Sequence, residues 1–228
     1  MSSIAFFDVD KTLINGYSGF YTTLLLIQKN ILKKRRLPEA IFYRLLAPLF
    51  EGKEETRKTI HRIYQAAADD MAGRSIDDML QIGRECFERW IKPRLYREGI
   101  AAVEEHKKRG EPVYLITSGP SMTIRIVGEF LGVDGGEGGG PVIDKNGILT
   151  NRVKQPIPYR EGKVKVAAEI VKKLNADWKD CYYYADNMDD IFLLEKVGKP
   201  RLVNPDRELR EIGEKRRWPV LTFSSLLS

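Results

Sequence analysis

The sequence predicts an α/β protein: a Rossmann-like parallel sheet core with helices on both faces, interrupted by an inserted α-helical cap. Three observations predict it. Ile4, Ala5, Phe6 and Phe7 form a short continuous apolar run, as expected of a strand covered on both faces. Strand-like and helix-like patterns alternate from about residue 97 onward, the mark of βαβ units. Between them the pattern is helical throughout. The expected division is a core of residues 1–15 and 97–228 and a cap of residues 16–96. At 228 residues, 43% hydrophobic and 31% charged, the chain can bury a sizeable core, and its composition is neither disordered nor that of a multi-span membrane protein.

The cap begins with "SGFYTTLLLIQKNILKK", residues 18–34, amphipathic to strongly apolar. "LPEAIFYRLLAPLF", residues 37–50, starts again with Pro38 near a helix N-terminus. In residues 59–73, Ile60, Ile63, Tyr64 and Ala67 share one helical face. Ser75 can cap the next helix, residues 76–91, with Asp78 three residues on. In the core, strands are expected at residues 112–117, 181–185 and 201–203, with a short one near "PVLTF". Helices are expected at residues 96–110, 121–132, 162–174, 189–198 and 206–217, and "GGEGGGP", residues 135–141, reads as a loop.

The net charge of +6 favours anionic partners, among them phosphorylated metabolites, nucleic acid and anionic lipid. Cys86 and Cys181 sit in apolar patterns and read as reduced interior thiols, which fits a cytoplasmic setting. The start "MSSIAFF" lacks a basic leader and runs into the first strand, so no signal peptide is expected. There is no P-loop pattern, "DNMDD" lacks the glycine and distal glutamate of a calcium loop, and His61 and His106 have no ligand-spaced partners. "KKRR", residues 33–36, reads as a solvated helix end, and no nucleic-acid partner is expected.

The first strand ends in Asp8 and Asp10. Residues at i and i+2 of an extended chain face the same side, so the two carboxylates are expected in one site, with a cation or a held proton relieving their repulsion. In parallel sheets ligands bind at the carboxyl ends of strands, where Asp8, Thr117 and Asp186 all fall. Three such ends deliver "DVDKT", "ITSGP" and "YADNMDD", and a helix start delivers "EGKVK".

That ordered set resembles the haloacid dehalogenase superfamily of phosphohydrolases, specifically its phosphoserine-phosphatase-like branch with a helical cap after the first strand. The resemblance covers nearly the whole chain, the cap in position and helical character only, and reaches "VNPDRELREIGEKRRWPV", similar to the tail of a less characterised subgroup. It implies a Mg2+-dependent phosphatase acting on a small phosphorylated substrate through an aspartyl-phosphate. Asp8 is the implied nucleophile and Asp10 the acid–base group. Thr117 is the implied phosphoryl-binding hydroxyl, with Ser118 and Gly119 offering amides. Lys163 offsets the charge of Asp8 and the phosphoryl group, while Lys165 is expected to be solvated. Asp8, the Asp10 carbonyl and Asp186 are the implied Mg2+ ligands. Asn187 and Asp190 are expected just outside them, and Asp189 is read as an exposed neighbour. Thr12 closes the turn and is read as structural.

A phosphotransferase could use the same site, and a phosphate-accepting regulatory protein is the alternative of another class. Where the resembling phosphatases carry a substrate-binding glutamate, this chain has Tyr17 and no carboxylate, which argues against phosphoserine. The apolar cap leaves two readings open. Its faces pack on each other or on a second copy in a homodimer, or they form a lid settling on an anionic lipid surface through Lys33, Lys34, Arg35 and Arg36.

Overall fold

The computed structural model describes residues 3–36 and 54–227. Six parallel strands make the central sheet: β1 (Ala5–Phe7), β2 (Val113–Pro120), β3 (Gly135–Gly139), β6 (Tyr182–Ala185), β7 (Lys199–Val203) and β8 (Val220–Leu221), in spatial order β3-β2-β1-β6-β7-β8. β1 is central, with Phe7 registered against Leu115 on one side and Tyr184 on the other. Side chains alternate across the sheet. Phe7, Leu115 and Tyr184 enter one apolar layer, and Phe6, Ile116 and Tyr183 the opposite one. The first layer is closed by α4 (Arg97–Lys108) and α5 (Ser121–Leu131), which contribute Val103 and Ile124. The second is closed by α6 (Glu161–Lys173), α7 (Ile191–Leu194) and α8 (Arg207–Arg216), through Val166, Leu193 and Leu209. Both faces of β1 are dry, which is why its residues are apolar without alternation.

The helical cap follows β1. α1 (Ser18–Gln28) stops earlier than residue 34, where the sequence pattern would carry it. Asn30 adopts the left-handed conformation, φ 58°; its N–H donates to the Ile27 carbonyl and the Ile31 N–H to that of Leu26. Asparagine tolerates that backbone and so ends the helix where glycine usually would. The helix expected over residues 37–50 lies outside the described residues. α2 (Glu54–Met71) starts before residue 59, and α3 (Ile76–Cys86) is capped by Ser75 Oγ, which accepts from the Asp77 N–H; a widened turn, Phe87–Ile91, extends it.

Two further features of the fold differ from the sequence expectation. The glycine-rich stretch is not a loop but the edge strand β3. A Cβ on Gly138 would lie 2.6 Å from the Gly119 carbonyl oxygen, and one on Gly139 would lie 2.3 Å from the Tyr64 ring. Close approach of backbone and ring therefore demands glycine, and this demand hides the strand's β-character. The second feature is a hairpin, β4 (Pro141–Ile143) with β5 (Leu149–Val153). Its turn is closed by Asp144 Oδ1, which accepts from the N–H groups of Asn146 and Ile148, and Gly147 supplies φ +78°. The hairpin packs on the cap. Gln65 donates to the Asn151 carbonyl, the Gly73 N–H to that of Leu149, and the Ile76 N–H to that of Gly147.

Candidate active site

The carboxyl ends of β1, β2 and β6 meet the N-terminal turn of α6. Asp8 continues β1, its N–H donating to the Tyr184 carbonyl, and its side chain is buried. Lys163 reaches in from the first turn of α6. Its Nζ lies 2.7 Å from Asp8 Oδ1, 2.5 Å from Asp190 Oδ1 and 3.1 Å from the Tyr183 hydroxyl. A cation near a helix N-terminus opposes the helix dipole, and here two buried carboxylates hold it. Burial opposes its charge, but Asp190 and Asp8 prevail and raise the amine above its ordinary value.

Tyr183, on β6, also donates to Asp190 Oδ1, at 2.5 Å. The sequence reading placed Tyr183 in a strand but not in the site. Alternation along β6 carries the signal, since Tyr183 and Ala185 share the face that Asp186 leaves. Asp186 is buried at the end of β6, and Thr12 and Asn187 donate to its Oδ1 at 3.4 and 3.1 Å. Thr12 thus reaches the acidic cluster as well as closing the turn.

Asp8, Asp186 and Asp190 offer carboxylate oxygens within 4.8 Å of one another. Burial pushes Asp8 up to about 7, with Lys163 pulling it down and Asp190 and Asp10 pushing it further up. Lys163 and Lys11, the latter 4.0 Å from Asp186 Oδ2, leave the three buried carboxylates in excess, and Asp190 Oδ2 is buried with no hydrogen-bond partner. Hard oxygen donors with surplus negative charge and an orphaned acceptor fit a divalent cation such as Mg2+.

The half-buried Asp10 accepts from the Ser18 N–H at 2.9 Å. It serves the free N-terminus of α1, whose flanking Tyr17 makes no side-chain cap. Burial nevertheless raises its carboxyl above the ordinary value, with Ser18 opposing. Thr117 is buried at the end of the regular part of β2, and its Oγ1 accepts from the Gly119 N–H at 3.1 Å, leaving the hydroxyl proton to donate outward. Ser118 turns its carbonyl to the Tyr64 hydroxyl of the cap.

Asp8, Asp10, Thr117, Ser118, Gly119, Lys163, Asn187 and Asp190 line one cavity, which also takes in Asp189. Asp189 is buried rather than exposed, because Tyr159 donates to its Oδ1 at 2.9 Å and Arg160 at 3.2 Å. Lys165 is solvated as expected, and both cysteines are buried and free.

Residues 5–195 match the family model of haloacid dehalogenase-like hydrolases. The chain is 29% identical to the "Inhibition of morphological differentiation protein" of Streptomyces azureus, over 96% of this chain and 78% of that protein. It is 26% identical to phosphoserine phosphatase SerB1 of Mycobacterium tuberculosis, over 98% and 71%. A Bordetella pertussis protein of unknown function has the same fold, with a TM-score of 0.82 at 23% identity over 97% and 98% of the two chains. With its family model spanning most of the sequence and its acidic strand ends gathered around one lysine, the chain belongs to the haloacid dehalogenase-like hydrolases.

Proposed function

We propose that this hydrolase is a Mg2+-dependent phosphomonoesterase working through an aspartyl-phosphate on Asp8. The observation that carries the reading is the ion-paired cluster of Asp8, Lys163 and Asp190, placed in one cavity with Asp10, whose carboxyl is raised above its ordinary value by burial. Asp8 attacks phosphorus and the ester oxygen leaves, taking a proton from Asp10. Asp10, now ionised, accepts a proton from the water that attacks the aspartyl-phosphate, and free Asp8 and phosphate are restored. Thr117 donates its hydroxyl to a phosphoryl oxygen, and Lys163 neutralises charge beside Asp8. Asp8, Asp186 and the Asp10 carbonyl would hold Mg2+, with Asn187 and Asp190 orienting its surroundings. The ion supplies charge neutralisation among the carboxylates and phosphoryl oxygens.

Phosphate release from a panel of esters, with and without Mg2+, tests the reading. Asp10→Asn should bind beryllofluoride as the parent does but turn over about a hundredfold more slowly, the low end for lost acid–base catalysis. Equal turnover would leave Asp10 without a chemical task and favour a phosphate-accepting regulator.

The raised carboxyl of Asp8 sets a second expectation. Its folded value, about 7, exceeds the ordinary 3.8. Its favourable contribution is therefore complete below about pH 4 and is lost as pH rises through 7. A divalent cation favours the ionised form, so the rise in melting temperature on adding Mg2+ should be larger at pH 8 than at pH 5.5. Equal increments in a thermal-shift titration would contradict this.

A further inference from the structure

The cavity continues away from the phosphate end between the cap and the hairpin. Among the described residues, every charged side chain that lines it stands at the phosphate end: Asp8, Asp10, Lys11, Lys163, Asp189 and Asp190. The far walls carry none among the described residues. α1 contributes Phe20 and Leu26, α2 contributes Ile60, Ile63 and Ala67, and the hairpin contributes Ile143 and Leu149. The few far-wall hydroxyls are partly committed, Thr22 Oγ1 being 2.7 Å from that of Thr123. Tyr17 presents an aromatic ring with the Lys11 amine 4.9 Å from its centroid.

Tyr64 secures this wall to the phosphate loop. Its hydroxyl donates to the Ser118 carbonyl, and its ring passes over Gly139, where a Cβ would not fit. The apolar chamber and the phosphate site are therefore joined through one side chain. The whole cavity, phosphate end included, has a volume of about 150 Å³; an apolar cavity of that size takes a benzene ring, which is therefore the upper bound for a group in the apolar part.

Resting on the phosphomonoesterase reading, we infer that the substrate is a phosphomonoester of an uncharged, apolar alcohol of roughly ring size, aromatic or short-chain aliphatic. Among the described residues the far walls offer a zwitterionic alcohol no countercharge for either its amine or its carboxylate, and burying such groups unpaired is unfavourable. They offer an apolar group the removal of its surface from water instead. Selectivity thus arises on the leaving-group side, while the phosphate end is indifferent to the alcohol.

The test compares kcat/KM for phenyl phosphate, butyl phosphate, methyl phosphate, phosphoserine and a long-chain lysophosphatidate, all with Mg2+. Calorimetric binding of phenylphosphonate and methylphosphonate supplies a readout independent of turnover. Phenyl and butyl phosphate should exceed phosphoserine by about a hundredfold or more, within the range a hydrophobic pocket supplies. Phenylphosphonate should bind at least about tenfold more tightly than methylphosphonate. Ile63→Asp should reduce that binding ratio toward one, with a thermal melt reporting that the variant is folded. Ala67→Leu, which fills the chamber without adding charge, should lower phenyl relative to methyl phosphate. Phosphoserine turned over as well as phenyl phosphate would overturn the inference and leave the hydrolase reading intact. A long-chain ester preferred over phenyl phosphate would overturn the size assignment and point to a lipid source. Tight phenylphosphonate binding with no ester hydrolysed would sink the hydrolase reading instead, and equal binding of the two phosphonates would sink the apolar chamber.

Discussion

Asp8→Asn is expected to abolish phosphate release, by about 10⁴-fold or more, the scale seen when a nucleophile is removed from a coupled catalytic set. An amide does not attack phosphorus and is a poor ligand for a hard cation. The substitution is nearly isosteric, so Lys163, Tyr183 and Asp190 can keep their mutual hydrogen bonds. The folded state should survive, as melting would show. A pure Asp8→Asn preparation that releases phosphate at the parental rate would place the chemistry elsewhere.

Lys163→Met is expected to damage both stability and turnover. Lys163 is the amine between Asp8 and Asp190, and removing it leaves two buried carboxylates without their shared cation. Breaking a buried ion pair from one side costs about 3–5 kcal/mol, which in a chain of this size lowers the melting temperature by about 10 °C. Turnover should fall by about 10²-fold or more, since a positive charge aimed at the developing phosphoryl charge is lost. Lys163→Arg should not restore it, because the wider guanidinium has to enter the narrow space between Asp8, Asp190 and the Tyr183 hydroxyl. Thermal melts and phosphate release on the two variants check both parts. Parental behaviour of Lys163→Met would show that the amine is a spectator.

Much of this arrangement is legible in the sequence because strand ends are chemically abrupt. The passage from Phe7 to Asp8, or from Ala185 to Asp186, marks where a dry strand meets a wet edge, and parallel topology brings such edges together. Lys163 is legible through its misfit with the helix dipole. Less visible are features that depend on distant neighbours. β3 is glycine-rich because Tyr64 and Gly119 crowd it, and neither is near it in sequence. Asp189 looks like a solvated acid beside Asp190 until Tyr159 and Arg160 fold over it. Tyr183 reads as a core tyrosine until its hydroxyl is seen to hold Asp190. The hairpin did leave a local signal, since "DKNG" between two apolar runs is a turn pattern. The extent of α1 depended on the backbone conformation of the single residue Asn30.

The central place of β1 has a consequence for how the molecule comes into being. This three-residue strand pairs with Val113 on one side and Tyr182 on the other, each more than a hundred residues further along the chain. Asp8 precedes the other members of its cluster, Lys163, Asp186 and Asp190, by more than a hundred and fifty residues. Neither flanking contact is local, so both carry a loop-closure entropy that is offset only when the sheet condenses. Until the sheet condenses, Asp8 is therefore without the neighbours, Lys163 and Asp186, that surround it in the folded protein. The charged cluster is thus a product of the completed sheet, and no local stretch of chain can assemble it.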